Sequence, residues 1–344
     1  MKLQRFNSNP QLIRFLRELG CFKNDPFFFI DVGCSGGIHR DIINFFGGDL
    51  RAIGFDPLIA EIERLKRDND HPGITYVDAF VSCKSDKPRL YDEPDCPPQK
   101  NPDLTTDFFD RMSSTRALTL AGMTPEEAYY RQTQKIVHTT RTVSLDEYLS
   151  MEDKKSVNFI KTDTDGFDYL VLMGAEEILH SPNLLGLFVE VSLHRSIWKA
   201  DNSFTLVDRF VRKFGFSLYD MEVYRYSRAA LPAPFIYDLP AKTTAGQVNW
   251  GDVLYFRDYG RPDYEIHWSA SPSIRAVLKL ACLFEIYGLQ DCATELLIKY
   301  KSEVEKITAL KPLLDMLTPG DRSYDEHMAL FEKHMIARDW KGFR

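Results

Sequence analysis

Carboxylates set at the ends of short apolar runs are the residues of this 344-residue chain best suited to chemistry. The run Phe27-Phe28-Phe29-Ile30-Asp31-Val32 leads into Gly33-Cys34-Ser35-Gly36-Gly37. Asp31 there can meet an ammonium group, directly or through water. Glycines let the backbone bend sharply and approach a ligand with no Cβ in the way. A helix expected from about Ile38 to Phe46 would present unpaired N–H groups to a polar group. A second run, Arg51 to Phe55, ends in Asp56. That carboxylate can accept both hydroxyls of a ribose, cap the helix that Pro57 opens, or do both. The end of a third run, Val77-Asp78-Ala79-Phe80, falls where an adenine would lie, and Asp78 can accept from its amino group. Gly33, Cys34, Ser35, Gly37, Asp31, Asp56, Asp78 and Ala79 are therefore candidate nucleoside-binding residues.

A second set of acids follows. Asn158 to Asp163 runs into Thr164-Asp165-Gly166, and Leu187-Phe188-Val189 runs into Glu190, with His194 shortly after. Alkylation of an alcohol requires that its proton be removed as the new bond forms, and a carboxylate or an imidazole can do this in the transition state. Asp163, Glu190 and His194 are the candidates, and Asp163 is also a candidate to contact the nucleoside ligand. In an alternative arrangement Asp163, Asp165 and Glu190 hold a divalent metal that acidifies the hydroxyl. Structural roles compete with these: Asp165 can cap a helix beginning near Phe167, and Lys161 can pair with an acid.

The elements that position these residues alternate. Leu12, Ile13, Leu16 and Leu19 repeat at helical spacing before Gly20. Strands are expected over 26–33, 51–56, 74–81, 158–163, 184–191, 216–221 and 252–257, with helices over 58–69, 167–179 and 204–214. Buried parallel strands read as continuous apolar runs, and such alternation predicts a mostly parallel sheet with helices on both faces. The stretch from about 92 to 141 breaks the pattern; it is too long for a plain connection and reads as an insertion able to cover a substrate. Beyond about 270 the chain is helical, over 273–288, 291–304 and 322–338, forming an appendage or an oligomerisation element. The expected division is an N-terminal helix over 1–25, a main domain over 26–262 and a helical extension over 263–344.

Bulk properties narrow the function classes. A net charge of −7 argues against nucleic-acid binding, because phosphate backbones are repelled. No apolar run reaches the roughly 18 residues a membrane span needs. The first twenty residues carry charges throughout and lack the core of a signal peptide. The six cysteines form no CxxC pair and read as reduced thiols of a cytoplasmic protein.

The turn is a poor dinucleotide fingerprint: in G-x-G-x-x-G, Ser35 takes the second glycine position and Ile38 the third. A nicotinamide-dependent oxidoreductase is thus the weaker alternative, and a cofactor-free, non-catalytic partner in a glycan-assembly complex is another. The string Asp31-Val32-Gly33-Cys34-Ser35-Gly36-Gly37 resembles the D-V-G-A-N-x-G turn of the FkbM family of methyltransferases. Phe159-Ile160-Lys161-Thr162-Asp163-Thr164-Asp165-Gly166-Phe167-Asp168 resembles its F-I-K-I-D-V-E-G-x-E signature, and Val171-Leu172-Met173-Gly174-Ala175 its V-L-x-G-A continuation. Ser35 replaces the usual Asn, and Asp165 and Asp168 replace Glu. The resemblance implies a class I Rossmann-like fold with a seven-stranded sheet, S-adenosylmethionine as cofactor, and O-methylation of a small-molecule or glycan acceptor.

Overall fold

The computed structural model describes residues 6–85, 141–164, 166–193, 202–226, 246–268 and 271–338. His194, Asp165 and all of the 92–141 segment except Arg141 lie outside them.

Seven strands make the main sheet: β1 (Phe27–Val32), β2 (Leu50–Asp56), β3 (Ile74–Asp78), β6 (Phe159–Thr162), β7 (Gly186–Ser192), β8 (Phe216–Tyr226) and β9 (Gln247–Arg257). Their order is β3-β2-β1-β6-β7-β9-β8. Pairs β2–β3, β1–β6 and β6–β7 are parallel, whereas β9 runs antiparallel to both β7 and β8. The expected α/β architecture, a seven-stranded and mostly parallel sheet with helices, is present. Both faces of β1 are buried along its whole length, which is why its sequence is apolar without alternation.

Several boundaries differ from the sequence pattern, each for a local reason. The expected strand over 74–81 stops at Asp78; β4 (Phe80–Val81) instead pairs in parallel with β5 (Thr142–Val143) in a separate two-stranded sheet. The expected helix over 167–179 is two helices, α6 (Asp168–Met173) and α7 (Glu176–His180). Between them Gly174 admits the carbonyl of Ser82 so closely that a Cβ would stand 2.1 Å from its oxygen. Strands β8 and β9 extend five residues beyond the expected ends, towards each other, as two arms of 11 residues each.

The chain divides into two compact units. One contains Phe28–Ile38 and Arg51–Arg257, hence the sheet, with helices α3 (Ile59–Asp68), α4 (Leu145–Tyr148), α5 (Met151–Ser156), α6, α7 and α8 (Phe204–Arg212). Its core joins Ile30, Val32, Phe55, Ile160, Leu187, Val189, Val191 and Val253 on one face of the sheet. The other unit contains Met1–Phe27, His39–Leu50 and Asp258–Arg344. It holds α1 (Gln11–Glu18), α2 (Arg40–Phe46), α9 (Tyr264–Trp268), α10 (Ile274–Ile286), α11 (Gln290–Lys299), α12 (Lys301–Val304), α13 (Leu310–Leu317) and α14 (Tyr324–Ala337). The buried Glu285 carboxylate of α10 accepts from the N–H groups of Gln11, Leu12 and Ile13 at 2.6–3.1 Å, closing the open amides of α1. Among the described residues no helix is long and apolar enough to cross a membrane.

Candidate active site

The turn after β1 is held by its own backbone. Gly33 and Cys34 both donate to the carbonyl of Phe55, at 2.9 and 3.1 Å, and Gly37 donates to that of Cys34 at 2.8 Å. Side chains take two more amides: Gly36 N–H donates to Glu61 at 2.8 Å, and Ile38 N–H to the Tyr76 hydroxyl at 3.2 Å. Helix α2 begins at Arg40, two residues later than expected. The amides of Gly33, Cys34, Gly36, Gly37 and Ile38 therefore have partners within the protein. What the turn does provide is close approach. Gly33 has φ +81°, and a Cβ there would stand 1.9 Å from the carbonyl oxygen of Asp163. The turn and the end of β6 thus touch backbone to backbone.

Asp31 and Asp56 are buried. Lys161, its neighbour in the β1–β6 register, donates to Asp31 at 3.0 Å and lies 3.5 Å from Asp163. Burial pulls the Lys161 ammonium down, but Asp31 and Asp163 outweigh it and hold it above its ordinary range. Asp56 accepts from Leu58 N–H at 2.8 Å, a turn bond ahead of α3, whose cap position is Leu58. Burial raises the Asp56 carboxyl, and the Leu58 N–H draws it back down. Asp78 stands opposite Asp56 on β3, half-exposed and 3.6 Å from Lys66; Ala79 beside it is buried. The Cys34 thiol is buried and pushed far up, so it is an apolar wall rather than a nucleophile.

Further along the sheet the register aligns acids. Glu190 of β7 pairs with Asp252 of β9, which pairs with Glu222 of β8. Asp163 lies one step past the Thr162–Val189 pair, beside Glu190. Since paired residues point to the same face, Asp163, Glu190, Asp252 and Glu222 form one row across four strands. Asp252 was not singled out in the sequence. It is buried, accepts from the Tyr224 hydroxyl at 3.1 Å, and is pushed up to about 7 by burial first and then by Asp163. Two residues from it, Tyr224 and Trp250 stack with ring centroids 3.9 Å apart.

The structure thus brings Asp31, Gly33, Cys34, Ser35, Asp56 and Asp163 to one end of the sheet, with Glu190 in the adjoining row. His194 falls outside the described residues, as does Asp165, one of three residues expected to hold a metal. Among the described residues no group of three or more His, Cys, Asp or Glu is placed to hold a metal ion. Cysteines 21, 34, 83, 282 and 292 are free thiols.

Residues 85–218 match the Methyltransferase FkbM domain. The match covers the Lys161–Ala175 signature and Glu190 but begins after the Gly33–Gly37 turn. No curated protein matches the chain. Among solved structures, similarity extends to magnesium protoporphyrin IX methyltransferase from Synechocystis PCC 6803 with bound SAM. The identity is 9%, covering 72% of this chain and 77% of that one, with a TM-score of 0.28. A structure concerned with conversion of a disulfide bond into a thioacetal group during echinomycin biosynthesis is 11% identical, covers 75% and 85%, and has a TM-score of 0.29. The domain match bears out the resemblance to the FkbM methyltransferases over residues 85–218, and the order of the sheet is that of the expected α/β fold.

Proposed function

We propose that this chain transfers a methyl group to a hydroxyl of a sugar, glycan or related metabolite. The observation that supports it best is the row Asp163–Glu190–Asp252–Glu222 beside the Gly33 turn, with the Tyr224–Trp250 stack two residues further along. In open α/β sheets ligands lie at the carboxyl ends of the parallel strands, and this is that edge.

The residues present suit S-adenosylmethionine, which supplies an electrophilic methyl on a sulfonium. Its positive charge is favoured by a site where Asp163 is the half-exposed acid nearest the turn. Asp56 is buried but retains acceptor capacity for ribose hydroxyls, Asp78 can accept from an adenine amino group, and Ala79 and Cys34 offer apolar walls. Asp31 shares its charge with Lys161, so it would receive an ammonium as part of a network rather than alone. When bound, S-adenosylmethionine would supply the methyl group, and a carboxylate of the row would take the proton of the acceptor hydroxyl. Asp163 and Glu190 are the assigned candidates, with His194 a further one by sequence. Asp252 is tuned near neutrality, where a base is most effective. Carboxylates accept hydrogen bonds from vicinal hydroxyls, and the partly exposed Trp250 indole, backed by the buried Tyr224, suits the apolar face of a sugar ring.

The direct test is calorimetric titration of the purified protein with S-adenosylmethionine, followed by transfer of labelled methyl to a panel of free sugars, nucleotide sugars and oligosaccharides. Absence of cofactor binding by folded protein overturns the reading. Transfer to amines or thiols in preference to hydroxyls overturns the acceptor class.

A further inference from the structure

We propose that Asp168 and Asn202 are positioning residues that fix Asp163 and Glu190 relative to each other through one buried chain of hydrogen bonds. The inference rests on the methyltransferase reading above.

Asp168 opens α6 and is completely buried. Its Oδ1 accepts from the Thr162 hydroxyl and, at 3.2 Å, from the Thr164 N–H. These two residues flank Asp163, so one carboxylate oxygen holds the side chain of the residue before it and the backbone of the residue after it. Its Oδ2 accepts from Asn202 Nδ2 at 2.8 Å, and the same nitrogen donates to the carbonyl of Glu190 at 2.9 Å. The orientation of that amide is dictated by its neighbours: Tyr169 N–H, which can only donate, bonds to Asn202 Oδ1 at 2.9 Å. The Asn202 carbonyl accepts from Ser192 N–H at 2.8 Å, so Asn202 holds β7 on both sides of Val191. The path Thr162/Thr164–Asp168–Asn202–Glu190 is continuous and links the ends of β6 and β7.

An apolar pair could fill this space without the penalty of burying a carboxylate. Burial pushes the Asp168 carboxyl up, the Thr162 hydroxyl opposes this, and the neighbouring Asp163 charge adds to it. A costly polar network gives in return a fixed geometry, because hydrogen bonds are directional where apolar contacts are not. Here the geometry fixed is the spacing of two carboxylates that would face a cationic centre.

The test needs no acceptor. Sinefungin carries an amine in the region of the transferable methyl, whereas S-adenosylhomocysteine has a neutral thioether there. Correctly placed acids should make wild-type protein bind sinefungin at least about 10-fold more tightly than S-adenosylhomocysteine, a difference of about 1.4 kcal/mol. In Asp168→Asn and Asn202→Ala this preference should fall to about 3-fold or less, with S-adenosylhomocysteine affinity within about 3-fold of wild type. Thr162→Val, which removes a single hydroxyl from the chain, is the milder variant and should lose about half of the preference on a logarithmic scale. A role in stability alone would lower the melting temperature and leave the ratio unchanged; that result overturns the proposal. So does a wild-type protein that binds both ligands equally. Binding of neither ligand by folded wild-type protein instead removes the methyltransferase reading, and the proposal with it.

Discussion

Along β1 and β2 the turn spends its polar groups on neighbouring backbone and a few fixed side chains, whereas along β6, β7 and β9 the chain relies on acids, a buried amide and one lysine. In the first region Gly33 and Cys34 share the Phe55 carbonyl, and the turn lies against Asp163 with no room for a methyl group. In the second, Asp163, Glu190, Asp252 and Glu222 form a row, with Lys161 3.5 Å from Asp163. A region shaped by backbone contact fails when atoms are added. A region shaped by charge and hydrogen bonds fails when they are removed, even if the shape is kept.

Gly33→Ala should have the largest effect. The new Cβ meets a backbone oxygen at 1.9 Å, and φ is +81°. Overpacking and left-handed strain together should destabilise by several kcal/mol, about 1–3 from each source. Cofactor binding by calorimetry should be lost, and the melting temperature should fall. Retention of near-normal affinity would erase the contrast between the two regions. Asp163→Asn keeps the shape and removes the charge. It should lower turnover at least about 100-fold in the labelled-methyl assay, about 2.7 kcal/mol of barrier, while S-adenosylhomocysteine still binds. Near-normal turnover would take Asp163 out of the chemistry.

Asp252 offers a sharper test, because its effect depends on pH. An ordinary aspartate titrates near 3.8, and burial moves this one to about 7. Between those values the folded protein holds a proton that the unfolded chain has released, so stability falls as pH rises from about 4 to 7. Asp252→Asn should flatten that slope and leave the variant more stable than wild type above pH 7, by on the order of 2 kcal/mol. Parallel denaturation curves of the two proteins across this range would contradict the burial described. The smallest effect is expected at Asp78, which is half-exposed and paired at 3.6 Å with Lys66. Asp78→Asn should weaken cofactor binding less than about 5-fold, under 1 kcal/mol, in keeping with exposed charges.

The first region was legible because its signals are local. A glycine-rich turn, an acid ending the next strand and a signature of ten residues all lie within short windows of sequence. Asp163 and Glu190 were legible for the same reason. Asp252 was not, since it enters the row only because β9 inserts between β7 and β8 and brings residue 252 opposite residues 190 and 222. One cue was available: an acid heading the apolar run Val253-Leu254-Tyr255-Phe256. Asn202 and Asp168 were hidden similarly, as their partnership spans 34 positions. The break between α6 and α7 could not be read from apolar spacing, which continues through Gly174; the approach of the Ser82 carbonyl decides it. Helix α13 was missed because Pro312 interrupts its pattern, although proline is tolerated in a first turn.

The place of β9 in the sheet also constrains how the chain is made. While the ribosome is still short of residue 247, β7 has an unpaired edge and β8 has no partner in the main sheet, since β9 lies between them. Unpaired apolar edges recruit other chains. Arrival of β9 closes both edges at once, and its last residue completes the closure. Buried Arg257 donates to the carbonyls of Leu184, Leu179, Ser181 and Phe214, gathering the ends of three segments onto one guanidinium. A nascent chain is thus most exposed to aggregation just before the synthesis of β9, and a truncation ahead of Arg257 should yield insoluble protein rather than a smaller folded domain.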